Sequence, residues 1–207
     1  MENNIIIDKD LPLLICDADE VIFNFMDSFD EFLNVNNMYF SYETFKLNGN
    51  ILQKKNNIPI SSNEVPKIIT NFFEHYTMKM PFIKNAKEVL KELSYRINII
   101  ILSNIPKASS LNRINYLKQN DMHYTFICNE GPKNIKCMEL EKLTNKNIFF
   151  IDDLPSQIAS VSNSCKNIIT IHFLQNKKLS KISPEVKDCN YKVNNWNDVK
   201  KIILKNI

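Results

Sequence analysis

The sequence predicts an α/β protein: a parallel sheet covered by helices on both faces, with a mostly helical block inserted after the first strand. Three observations carry this. Short apolar runs recur at Leu13, Ile97, Tyr124, Ile148 and Ile168, and stretches with apolar residues at helical spacing lie between them. Strands alternating with helices in this way form parallel sheets. The runs are apolar at successive positions, as strands buried on both faces are. Residues 22 to 80 show helical patterning throughout, so this block has no place in the sheet and must sit on top of it.

The first run, Leu13-Leu14-Ile15-Cys16, stops abruptly at Asp17-Ala18-Asp19-Glu20. It reads as a buried strand whose carboxyl end opens onto a site, because ligand crevices in such sheets lie outside those ends. Val21, Ile22, Phe25, Phe29, Phe32 and Leu33 then mark an amphipathic helix, with Asp27, Asp30 and Glu31 on its other side. A short helix is expected around Tyr42 to Leu47, before a break at Gly49-Asn50. Ser61-Ser62-Asn63-Glu64 has the form of a capping box ahead of a second long helix through Val65, Ile68, Ile69, Phe72, Phe73 and Tyr76. The aromatic stripe of this block reads as a packing face. Tyr76 and Lys79, at its end, are candidates for ligand contact.

From Pro81 the alternation sets in. Ala86, Val89, Leu90 and Leu93 mark a helix, and Ile97 to Leu102 a strand ending at Ser103-Asn104. Leu111, Ile114 and Leu117 mark the next helix, Tyr124 to Cys128 a strand, and Asn129 to Pro132 a turn into Lys133. A helix from about Ile135 to Leu143 leads to the strand Ile148 to Ile151, which stops at Asp152-Asp153. A helix with Ile158 and Val161, the strand Ile168 to Phe173, a lysine-rich linker and a helix around Val199, Ile202 and Ile203 complete the chain.

Composition narrows the function. The 207 residues suit one domain with a modest insertion, and 44% hydrophobic and 24% charged residues are ordinary globular values. A formal charge of +3 without a basic stripe gives no footprint for nucleic acid. The five cysteines, at 16, 128, 137, 165 and 189, form no C-x-x-C pair, so neither a zinc knuckle nor a disulfide framework is expected. Cys16 should face the core and be inert, and His75, His123 and His172 have no metal-like spacing. Two glycines, Gly49 and Gly131, are too few for a dinucleotide fingerprint or a P-loop. No basic region precedes Ile5-Ile6-Ile7, and no apolar run reaches the roughly 18 residues of a membrane helix. A soluble, cytoplasmic protein without a signal peptide is expected.

At their carboxyl ends successive strands deliver Asp17 and Asp19, then Ser103 and Asn104, then Lys133, then Asp152 and Asp153. Four carboxylates converging on one mouth repel one another unless a cation is present. Carboxylate oxygens, water and a substrate phosphate are the normal shell of Mg²⁺. A lysine with a hydroxyl and an amide opposite is suited to holding phosphate oxygens.

With these motifs the sequence resembles the haloacid dehalogenase (HAD) superfamily over nearly its whole length. The motifs are Asp17-Ala18-Asp19, Ser103, Lys133 and Asp152-Asp153. The resemblance implies a Rossmann-like core of residues 1–21 and 81–207 and a helical C1-type cap of residues 22–80. It implies a Mg²⁺-dependent phosphatase acting on a small phosphorylated metabolite through an aspartyl-phosphate. Asp17 would be the nucleophile and Asp19 the acid and base, its carbonyl also binding metal. Ser103, Asn104 and Lys133 would hold the phosphoryl group. The resemblance implies a metal held by Asp17, Asp19 and Asp153 or Asp152, with Asp153 favoured as the direct ligand and Asp152 as a ligand or its support, and Lys136 is an alternative to Lys133. A phosphomutase or phosphotransferase of the same superfamily, or a non-catalytic phosphate-ligand binder, are the other readings. Where the family commonly has Gly-Thr after the second aspartate, this chain has Glu20-Val21, which leaves the local geometry open.

Overall fold

The computed structural model describes residues 5–207, so the first four residues of the expected core segment lie outside it. Eight strands and eight helices follow the order β1 (Leu13–Cys16), α1 (Phe25–Val35), β2 (Met38–Phe40), β3 (Ile51–Gln53), α2 (Val65–Tyr76), α3 (Ala86–Leu93), β4 (Asn98–Ser103), α4 (Ser110–Gln119), β5 (Thr125–Cys128), α5 (Asn134–Leu140), β6 (Ile148–Asp152), α6 (Pro155–Ser164), β7 (Ile168–Phe173), α7 (Lys177–Ile182), β8 (Tyr191–Val193) and α8 (Trp196–Lys205). Six strands form one parallel sheet in the order β5-β4-β1-β6-β7-β8. β1 is central, in register with β4 through Leu13↔Asn98 and with β6 through Leu13↔Ile148.

Both faces of the central strands are buried, which is why β1 is apolar at every position and β6 up to Asp152. Leu14, Cys16, Ile101, Phe149 and Ile151 face α3, α8 and the inserted block, packing with Leu90, Val199 and Ile203. Leu13, Ile15, Ile100, Leu102 and Phe150 face the other way, against Cys137, Leu140, Ile158 and Val161 of α5 and α6. The period-2 pleat thus splits one apolar run between two cores. Among the described residues no helix is long and apolar enough to cross a membrane.

The inserted block departs from the expected pattern. It is not helical throughout: β2 and β3 pair antiparallel through Tyr39↔Leu52, and the expected helix at Tyr42 to Leu47 is a run of bends and turns. Three-residue strands are too short to show a period. The capping box does not form either. Residues 61–64 make a turn closed by Glu64 N–H on the Ser61 carbonyl, and α2 starts at Val65 with Pro66 in its first turn. α1 begins at Phe25, later than its apolar pattern, because Val21 to Asn24 are used in a turn. There Ile22 and Phe23 donate to the Ala18 carbonyl. The two chain segments that join block and core run side by side: Asn24 N–H donates to the Pro81 carbonyl, Ile83 N–H to the Ile22 carbonyl, and Phe23 bridges Phe82. Inside the block Phe25, Phe29, Phe32, Phe72 and Tyr76 pack ring on ring, so the aromatic stripe is a packing face.

Two further elements escape the sequence pattern. The lysine-rich linker contains α7, capped by the Asn176 side chain on the amides of Lys178 and Leu179. Beyond it β8 adds an edge strand beside β7.

Candidate active site

The carboxyl ends of β1, β4 and β6 open into one cavity, together with the loop after β5. Its volume is about 200 Å³, and its core side is lined by Asp17, Asp19, Glu20, Asn104, Lys133 and Asp153. Asp17 follows β1 directly and its amide donates to the Ile151 carbonyl of β6, which fixes the strand end where the side chain must turn into the cavity.

Lys133 is the hub. It is almost fully buried, and its Nζ is ion-paired with Asp17 Oδ1 and, at 2.6 Å, with Asp152 Oδ2. Its backbone amide donates to Gln157 Oε1 at 2.9 Å, and Gln157 Nε2 donates in turn to the Gly131 carbonyl at 3.2 Å. Gly131 at φ +77° makes the turn that an L side chain would resist. Burial by itself pulls the ammonium down, but Asp152 and Asp17 outweigh it and hold Lys133 raised. Lys136 is elsewhere, paired with the exposed Glu139.

Asp17, Asp152 and Asp153 each present a carboxylate oxygen within 4.8 Å of the others. Asp152 is committed within the protein, to Lys133 and through Oδ1 to the Leu154 amide at 2.9 Å. Asp153 faces the cavity, while its carbonyl accepts the Nε2–H of buried His172 at 2.9 Å. His172 is therefore structural, and burial keeps its imidazole lowered. Burial, then Asp152 and Asp17, push Asp153 well above the usual carboxylate range. Asp17 is raised to about 6, first by burial, with Asp152 adding and Lys133 opposing. One buried ammonium pairs with two of the three buried carboxylates, and the hard oxygen donors of this cluster suit a divalent cation.

Asp19 is placed apart from that cluster. Its Oδ1 meets Nη2 of Arg113 at 2.6 Å and its Oδ2 accepts the Ser103 hydroxyl at 3.3 Å. Burial raises its carboxyl and Arg113 opposes the rise. Arg113 is the residue that sequence reasoning missed. It is wholly buried, its guanidinium carbon sits 4.1 Å above the Phe23 ring, and its Nε and Nη1 have no hydrogen-bond partner. The apolar pattern of α4 points Leu111 inward, yet Leu111 is exposed and the inward face carries Arg113 and Leu117. Arginine in a helix is normally solvated, and nothing local marks this one.

Asn104 donates through Nδ2 to the Gly131 carbonyl at 2.8 Å and accepts from Asn129 at 2.8 Å, which ties the β4 end to the Lys133 turn. Tyr76 and Lys79 do not reach the cavity lining: Tyr76 donates to Glu31 at 3.2 Å, and the Lys79 ammonium lies 3.9 Å over the Tyr76 ring. Cys16 is fully buried, and burial with Asp17 beside it pushes its thiol well up, so it is inert as expected.

Glu20 occupies a left-handed backbone conformation at φ +62°, which favours glycine. Its side chain supplies what glycine lacks. Oε2 accepts the Met26 amide at 2.8 Å and Oε1 accepts Gln175 Nε2 at 3.1 Å. The Asn24 side chain at the N-cap of α1 bonds Asp27 and Gln175 and caps no backbone amide, so Glu20 does the capping from outside the helix. Burial raises its carboxyl to about 7. Glu20→Ala keeps the backbone cost and loses the cap, worth about 0.5–2 kcal/mol, whereas Glu20→Gly loses the cap but relieves the backbone. Both should melt below the native chain, with Gly above Ala by about 1 kcal/mol. A glycine variant more stable than the native chain would show that the backbone cost exceeds the cap.

No family model matches the sequence, and no curated protein matches it by sequence. Solved structures do match the fold over nearly all of it. A HAD family hydrolase from Deinococcus radiodurans, solved with bound phosphate and sodium, is 11% identical with a TM-score of 0.63, covering 96% of this chain and 97% of that one. A HAD-hydrolase from Bacillus subtilis, bound to magnesium, is 12% identical with a TM-score of 0.58, covering 94% and 99%. A predicted phosphoglycolate phosphatase from Haemophilus somnus is 11% identical with a TM-score of 0.60, covering 95% and 99%. The fold is that of the HAD-like hydrolases.

Proposed function

We propose that this chain is a HAD superfamily phosphatase, hydrolysing a small phosphorylated metabolite through an aspartyl-phosphate on Asp17. The observation that carries the reading is the ion pairing of Lys133 with both Asp17 and Asp152, beside an Asp153 that faces the cavity.

Lys133 holds Asp17 ionised and turned toward the cavity, so one carboxylate oxygen is free to attack phosphorus. The P–O bond to the leaving alcohol breaks as the Asp17–P bond forms, and Asp19 gives its proton to the departing oxygen. Asp19 then takes a proton from water, which attacks the phosphorus of the acyl phosphate and regenerates the Asp17 carboxylate. Ser103, Asn104 and Lys133 hold the phosphoryl oxygens through these steps. Asp17, Asp153, the Asp19 carbonyl and Asp152, as ligand or support, would hold Mg²⁺, whose chemistry when bound is to neutralise charge on the phosphoryl oxygens. Residues 22–80 would act as the cap, pivoting on the paired segments at Phe23 and Phe82 and closing water out.

Exhaustive chelation should abolish release of phosphate from an aryl phosphate, and added Mg²⁺ should restore it. Full turnover in chelator would remove the metal from the reading. Asp153→Asn should weaken Mg²⁺ binding more than Asp152→Asn, because Asp152 is already occupied by Lys133 and the Leu154 amide.

A further inference from the structure

The wall of the cavity opposite the carboxylates is apolar. The inserted block contributes Phe25, Phe40, Phe45, Leu47, Ile69 and Phe73 to it and, among the described residues that line it, no cation and no side-chain hydrogen-bond donor. Two tyrosine hydroxyls of the block are turned to carboxylates outside the lining: Tyr42 donates to Asp30 at 2.7 Å and Tyr76 to Glu31. Gln175, bonded to the lining residue Glu20, is also engaged with Asn24. The charged groups in the lining are four carboxylates and one ammonium, and Lys133 is already paired with Asp17 and Asp152.

A sugar or glycerol leaving group would bury hydroxyls against rings that cannot answer them, at roughly tenfold in affinity for each. A leaving group with its own carboxylate or second phosphate would meet Glu20 and no free cation. An apolar group loses nothing and gains by leaving water. The cavity, at about 200 Å³, is smaller than the roughly 300–1,000 Å³ of clefts that take drug-sized ligands. We infer that the substrate is a phosphate monoester whose leaving alcohol is small, uncharged and apolar, a short branched alkyl chain or single ring. This rests on the phosphatase reading and names its substrate class.

The test compares 3-methylbutyl phosphate with glycerol 3-phosphate, both esters of primary alcohols, with acetyl phosphate and Mg²⁺ as the reference for phosphoryl transfer itself. Expected is a kcat/KM at least tenfold higher for the apolar ester. Phe45→Asn or Ile69→Asn, each shown to be folded by its thermal melt, should narrow that ratio by reducing turnover of the apolar ester. Turnover of acetyl phosphate with no preference, or with glycerol 3-phosphate preferred, overturns the apolar substrate and leaves the phosphatase standing. So does a preference that neither wall variant alters. Failure to release phosphate from any of the three overturns the phosphatase reading and this inference with it.

Discussion

Asp17→Asn should lose roughly 10⁴–10⁶-fold in turnover, the usual consequence of removing a nucleophile that acts as a unit with its partners. The loss should be the same for aryl, alkyl and acyl phosphates, because no leaving group compensates for a missing attacking oxygen. Intact-protein mass after an acid quench should show no added phosphoryl group. Stability should move the other way. Asp17 is nine-tenths buried beside Asp152 and Asp153, and its carboxyl is pushed up to about 6 chiefly by that burial. The amide keeps an acceptor for Lys133 and removes one of three crowded charges, so with chelator present the variant should melt no lower than the native chain. A variant that still traps phosphate would move the nucleophile elsewhere. One that melts far lower would make Asp17 a structural ion-pair partner first.

Asp19→Asn carries the second large effect, roughly 10²–10⁴-fold on an alkyl phosphate, the usual worth of general acid–base catalysis. On an aryl phosphate the first step should suffer less, because phenolate departs without a proton. Water attack lacks its base with either substrate, so phosphoenzyme should accumulate and be seen by mass. Asparagine is the informative substitution because of Arg113. Among the described residues Asp19 Oδ1 is the only oxygen to which that buried guanidinium donates, its other hydrogen-bond partner being the Met80 sulfur at 3.7 Å. Alanine would strand a buried cation, which costs about 3–5 kcal/mol, and would confound lost chemistry with lost fold. Asparagine keeps an acceptor in place. Equal losses on both substrates, with no trapped phosphoenzyme and an unchanged melt, would give Asp19 a metal or orienting role instead.

Much of this was written into local sequence. A strand covered on both faces is mostly apolar, so Leu13 to Cys16 and Ile148 to Ile151 announce themselves, and the first polar residue after each marks the mouth of the sheet. That is why Asp17, Ser103, Asp152 and Asp153 were legible as a set. Their residue types by themselves call for a cation.

Other features depend on partners distant in sequence, and local pattern holds no record of them. Arg113 looks like any solvated helix arginine until Asp19, 94 residues earlier, is set against it. Gly131-Pro132 before it favours Lys133 over Lys136 without showing what either touches; β1 and β6 are neighbours and bring Asp17 and Asp152 to the Lys133 ammonium. The antiparallel pair β2–β3 and the edge strand β8, three residues each, are too short for periodicity and exist because hydrogen bonding to a neighbour completes them. Glu20 marks the boundary most clearly. The sequence shows a glutamate at this turn, and the tertiary structure supplies its use: from a left-handed backbone its carboxylate accepts the Met26 amide at the start of α1. The sequence by itself determined that the central strands are buried and which chemistry stands at their ends. The folded chain decided which charges meet, because the sheet's strand order brings together groups that the chain keeps up to 116 residues apart.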